Sequence, residues 1–82
     1  MAQQRPSPGN SKLRSIRRGF QSRYIRDMFD AALAAGWAWR MAGSTHVLLL
    51  PPQGGATITL STTSKTGAML TRVRLRAVGL DV

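Results

Sequence analysis

Two hydrophobic periods run along this chain. Between Ser22 and Ala35, the residues Ile25, Met28, Phe29, Ala32 and Leu33 recur at i, i+3, i+4, i+7 and i+8, and Gly36 follows on the same stripe. That spacing lines one face of an α-helix. Ser22 stands where an N-cap hydroxyl can accept from the first turn. Asp27 and Asp30 fall in the N-terminal half, where carboxylates suit the helix dipole. Gly36 supplies the C-terminal cap. Arg23 and Arg26 lie off the apolar stripe.

The period then drops to two. Trp37, Trp39 and Met41 alternate with Ala38, Arg40 and Ala42, which predicts a strand. Gly43-Ser44 predicts a turn, and Thr45 to Leu50 a second strand ended by Pro51-Pro52. Gln53-Gly54-Gly55 is the next turn. In a third strand, Ala56, Ile58 and Leu60 alternate with Thr57, Thr59 and Ser61. Helical spacing returns from about Thr66 to Val78. Leu70, Val73, Ala77 and Leu80, joined by Met69, are its expected inner face. Gly79 is its expected cap, with Leu80 folding back on it.

The order is helix, three antiparallel strands, helix. Such a chain makes an α+β two-layer sandwich, α-β-β-β-α, with one sheet face covered by helices and the other open. Ahead of it, Met1 to Ser11 carries Pro6, Pro8 and Gly9 and has little to bury, so disorder is expected there. Lys12 to Phe20 places Leu13, Ile16 and Phe20 at spacings of three and four, enough for a short helical turn laid on a partner or on the domain. Gly19 weakens any longer helix there by about 1 kcal/mol. The expected division is a basic, flexible N-terminal arm over residues 1–21 and a domain over 22–82.

Composition narrows the function. A core of this size stabilises by roughly 3–5 kcal/mol, so a homo-oligomer or a bound partner is in keeping with it. The chain has no cysteine, one histidine and three acids, Asp27, Asp30 and Asp81. Disulfides, cysteine-held metals and thiol nucleophiles are excluded, and no metal site within one chain is expected. No motif calls for a cofactor: Gly54-Gly55 lacks the Gly-Lys-Ser/Thr of a phosphate loop. No apolar run reaches the roughly 18–20 residues of a membrane span, and no secretory signal is visible, so a cytoplasmic location is expected. The formal charge is +9, and of the twelve basic residues only Lys12 and Lys65 are lysine. Arginine's planar fork suits phosphate oxygens, and a charge this high favours a polyanion, most simply nucleic acid. The plainer alternative is a basic surface that keeps the chain in solution.

His46 is the one residue suited to acid–base work near neutral pH. It could take the proton from a ribose 2′-hydroxyl or protonate a leaving 5′-oxygen. Its surroundings depend on the turn. A two-residue loop at Gly43-Ser44 pairs it with Met41, whereas a three-residue loop at Ala42-Gly43-Ser44 pairs it with Arg40, and a slip of one residue reverses the face. A Ser-His-acid triad lacks a placed acid. Trp37 and Trp39 could stack bases, although burial of at least one fits their size better.

Several of these pieces, in order, resemble the HicA family of small toxin mRNA interferases. They are the amphipathic helix ending Gly36-Trp37, then Arg40-Met41-Ala42 and Gly43-Ser44-Thr45-His46. Pro52 with its glycine turn follows, and the helix ends Leu75-Arg76-Ala77-Val78-Gly79-Leu80. The likeness covers roughly residues 23 to 80. It implies a fold like a double-stranded-RNA-binding domain. It also implies metal-independent endoribonuclease activity with the family's histidine at His46, and a HicB-like antitoxin as partner. A second histidine frequent in the family is replaced here by Pro51. On this reading His46 is the catalytic acid/base. Arg40, Lys65, Arg72 and Arg76 are candidate phosphate contacts, and Gly43, Ser44 and Thr45 shape the turn. Arg14, Arg17 and Arg18, ahead of the likeness, are with the last helix the candidate nucleic-acid contacts of the non-catalytic alternative. The alternative is a non-catalytic nucleic-acid-binding or host-protein-interacting module on the same fold.

Overall fold

The computed structural model describes residues 8–82, with side chains from Leu13 onward. Three helices and three strands follow one another: α1 (Pro8–Gly19), α2 (Arg23–Ala34), β1 (Ala38–Ala42), β2 (His46–Leu50), β3 (Ile58–Ser61) and α3 (Ala68–Ala77). The strands form one antiparallel sheet in the order β1-β2-β3. The fold is therefore the α+β sandwich that the periodicity predicts, with one helix more.

Local chemistry sets the helix ends. Ser22 Oγ accepts a hydrogen bond from the Ile25 N–H at 3.3 Å and caps α2. At its other end Gly36 turns left-handed, with φ of +91°. Its N–H donates to Leu33 O and the Trp37 N–H donates to Ala32 O, each at 3.0 Å. This paired closure satisfies carbonyls that the helix leaves open and turns the next residue inward, so Trp37 is buried. The same closure ends α3. Gly79 has φ of +102°, its N–H reaches Arg76 O, and the Leu80 N–H reaches Leu75 O, again at 3.0 Å each. Leu75 and Leu80 are both buried as a result.

The register divides the strands cleanly. Trp39 pairs with Leu49, Met41 with Val47, and Val47 with Leu60. These side chains and Ile58 join Phe29, Ala32 and Leu75 in or against the core. Trp39 meets Phe29 edge-on, with ring centroids 6.1 Å apart. Both tryptophans thus belong to the packed side, and neither is a base-stacking platform on the open face. Successive strand residues point to opposite faces, which leaves Arg40, Ala42, His46, Leu48, Thr59 and Ser61 on the uncovered side.

Two expectations are corrected here. Residues 8–11, expected to be disordered, are helical with the rest of 8–19, and residues 1–7 lie outside the described residues. Proline is tolerated in a first helical turn because the N–H it lacks has no partner there, so Pro8 opens α1 rather than breaking it. Leu13 and Ile16 pack against the core, and Phe20 is buried 5.4 Å from the Phe29 ring. The Gln21 N–H also donates to Thr62 O at 2.8 Å. α1 is thereby joined to the domain of residues 22–82.

The second correction concerns α3. Its buried residue is Leu75, with Ala68 and Val78 partly buried beside it. The expected inner residues Met69, Leu70 and Val73 are 80%, 54% and 57% exposed. The helix holds two apolar stripes on opposite sides. The capped end, which ties Leu80 to Leu75, selects the stripe that turns inward. Among the described residues no helix is long and apolar enough to cross a membrane.

Candidate nucleic-acid interface

His46 opens β2 on the uncovered sheet face. The loop before it is Gly43-Ser44-Thr45, so His46 pairs with Ala42 on β1 and with Ser61 on β3. Neither pairing expected from the sequence occurs. The reason is that Ala42 stays in the strand and Thr45 joins the turn, with Gly43 taking φ of +77°. Parity still sets Arg40 on the face of His46. Arg40 opposes Leu48 and is thus the diagonal neighbour of His46, a relation that places residues roughly 7–8 Å apart in an antiparallel ladder. A long side chain can span such a gap.

The turn is clamped from β3. The Thr62 N–H and Oγ1 both donate to Thr45 O, at 2.8 and 3.0 Å. Thr45 Oγ1 in turn lies 3.2 Å from His46 Nδ1. With Nδ1–H donating to Thr45, Nε2 presents its lone pair and can act as a base; the other tautomer presents Nε2–H and can act as an acid. The ring is exposed. Ser44 is exposed in the turn, and Ser61 faces His46 across the ladder. Thr62, buried and doubly bonded, is a positioning residue that the sequence pattern did not mark; only its place one residue past β3 hinted at it.

The expected cationic residues do not form one surface. Among the described residues of the strands, Arg40 is the one basic residue beside His46 on the open face. Lys65 is exposed on the loop after β3, at the end of the sheet where His46 begins. Arg72 and Arg76 are exposed on α3, a helix that packs Leu75 against the other side of the sheet. Arg76 Nε donates to Val82 O at 2.6 Å.

Arg14, Arg17 and Arg18 gather on α1, and Arg26 of α2, absent from the expected set, joins them around a cleft of about 250 Å³. Arg17 makes a forked pair with Asp30, Nε to Oδ1 at 2.7 Å and Nη2 to Oδ2 at 2.8 Å. That hydrogen bonding, with the charge of Asp30 behind it, raises the guanidinium pKa above its ordinary value.

A larger cleft of about 490 Å³ lies between the C-terminal ends of α2 and α3, where it includes Trp37, Gln53 and Asp81. It contains none of the candidate residues. Among the described residues no group of three His, Cys, Asp or Glu side chains could hold a metal ion. Family models, curated proteins and solved structures were each compared with the chain, and none matches it.

Proposed function

We propose that this chain is a small HicA-like endoribonuclease, an RNA-binding toxin that acts in the cytoplasm and is held in check by a HicB-like antitoxin. The observation that supports it best is the presence of an exposed imidazole and a guanidinium on the same uncovered sheet face. In the proposed reaction, His46 Nε2 takes the proton of a ribose 2′-hydroxyl. The 2′-oxygen attacks the adjacent phosphorus, and the bond to the 5′-oxygen breaks. The products are a 2′,3′-cyclic phosphate and a 5′-hydroxyl, whose oxygen receives a proton from the imidazolium or from water. Arg40 offsets the charge that grows on the phosphoryl oxygens. Acid–base help of this kind contributes typically 10²–10⁴-fold.

The test compares wild type with His46→Ala, expressed to equal soluble levels, in growth arrest and in cleavage of purified RNA. The reading requires that wild type arrest growth and cut RNA and that His46→Ala do neither. Equal arrest without cleavage removes the catalytic role and leaves a binding module. The second reading, nucleic-acid binding without catalysis, draws on the arginine cluster of α1 and α2, a cleft that His46 does not line. Its signature is a steep salt dependence of RNA binding that His46→Ala leaves intact.

A further inference from the structure

Arg14, Arg17 and Arg18 are spaced i, i+3 and i+4 and share one side of α1. Arg26 meets them from α2, and the four line a single cleft. Four arginine side chains line this cleft, and their like charges oppose close approach. Asp30 holds Arg17 by a fork of two hydrogen bonds, and Asp27 adds its charge to the same group. Neither accounts for Arg26. Its Nε–H is shut off from solvent and has no hydrogen-bond acceptor among the described residues. A buried N–H without an acceptor is costly and uncommon in a folded protein. An oxyanion seated in the cleft would relieve the repulsion, and a small rotation of the Arg26 side chain toward it would give the Nε–H an acceptor.

The geometry points to a phosphate-binding subsite formed by Arg14, Arg17, Arg18 and Arg26, which holds a backbone phosphate of single-stranded RNA. Guanidinium groups bind phosphate through paired N–H donors, a fit that ammonium groups lack. Asp30 binds Nε and Nη2 of Arg17, which keeps the side chain in place and leaves Nη1 without a partner among the described residues. The subsite rests on the RNA-binding part of the reading above and not on cleavage by His46. RNA, rather than another phosphorylated macromolecule, is favoured by the chain's excess of twelve basic residues over three acids and by the further arginine on the open sheet face.

The test uses the full chain in four forms: wild type, Arg26→Gln, Arg26→Lys and Arg74→Gln. Arg74 is exposed on α3 and lies outside the cleft, so its substitution controls for the loss of one charge. Binding of a 5′-hydroxyl oligoribonucleotide is followed by fluorescence anisotropy over a salt series, and thermal unfolding is followed with and without inorganic phosphate. Arg26→Gln is expected to weaken RNA binding about tenfold and to lower the salt slope by about 0.7, the value for one phosphate contact on a single strand. Arg26→Lys keeps the charge and loses the fork, so it should recover only a small part of the affinity. Arg74→Gln should change affinity less than threefold. Phosphate should raise the unfolding temperature of wild type and not that of Arg26→Gln.

Equal losses in Arg26→Gln and Arg74→Gln, with RNA still bound by wild type, would overturn the subsite and leave the RNA reading standing. If wild type does not bind RNA but phosphate stabilises it through Arg26, the source of the phosphate is wrong and RNA binding fails. A gain in affinity only for a 5′-phosphorylated oligonucleotide would replace the backbone assignment with a terminal one. Absence of both RNA and phosphate binding would overturn the assignment entirely.

Discussion

Leu75 and Leu70 are five residues apart on α3 and have opposite fates, which makes them a matched pair of perturbations. Leu75 is fully buried and Leu70 is 54% exposed. Truncation of a buried leucine to alanine removes apolar surface and leaves a cavity, at about 2–5 kcal/mol. A domain of this length has a total stability of roughly 4–12 kcal/mol, taken from the usual per-residue range. Leu75→Ala thus removes about a sixth of the folding free energy at the least, and close to half at the middle of both ranges. At about 4–8 °C per kcal/mol for a domain of this size, the melting temperature falls by at least roughly 8 °C. Leu70→Ala, on the surface, should stay within about 0.5 kcal/mol. Trp37 is buried and Trp39 packs on the core, so their fluorescence reports the transition in urea. The comparison is valid if both variants keep the wild-type urea slope. Equal costs, or a larger cost for Leu70→Ala, would mean that α3 is rotated and that the other apolar stripe faces the core.

Substitutions at two further positions probe the helix ends. Gly79→Ala places a Cβ at φ of +102° in a space with no heavy atom within 4 Å, so its cost is backbone strain alone, about 1–2 kcal/mol, read as a lower urea midpoint; Gly79→Asn should be less harmful, because asparagine tolerates left-handed backbone better. Ser22→Ala deletes the hydroxyl that accepts from Ile25 and should cost about 1 kcal/mol, with Ser22→Asp restoring much of it.

The elements written by local chemistry could be read from the sequence. The stripe of α2, its serine cap and the two glycine closures each depend on residues within a few positions of one another. The strands also announced themselves, since alternation needs only a half-buried sheet. What escaped depended on distance along the chain. Whether Leu70 or Leu75 turns inward is decided by the capped end of α3 and by the core it meets. The register at His46 depended on whether Ala42 or Thr45 belongs to the loop, and the clamp from Thr62 lies sixteen residues past His46. Pro8 and Gly9 read as breakers because nothing nearby showed that Leu13, Ile16 and Phe20 had a core to cover. The site divided in the same way. Whether His46 shares a face with Arg40 turned on the loop length, which the sequence left open, whereas the spacing of Arg14, Arg17 and Arg18 was visible. Arg26 could not be joined to them until α1 lay beside α2.

The buried residues of α2 and α3 and the partly buried Leu13 and Ile16 of α1 pack with one side of the sheet, and this frees the other side from the duty of holding the protein together. Side chains at Arg40, Ala42, His46, Thr59 and Ser61 can be exchanged with little change in folding free energy, provided that strand formation and charge are respected. The bare face is therefore the part of the molecule where selection can rewrite chemistry most freely. One scaffold can lose a catalytic side chain, acquire another or change what it grips, while the packed layer beneath stays the same.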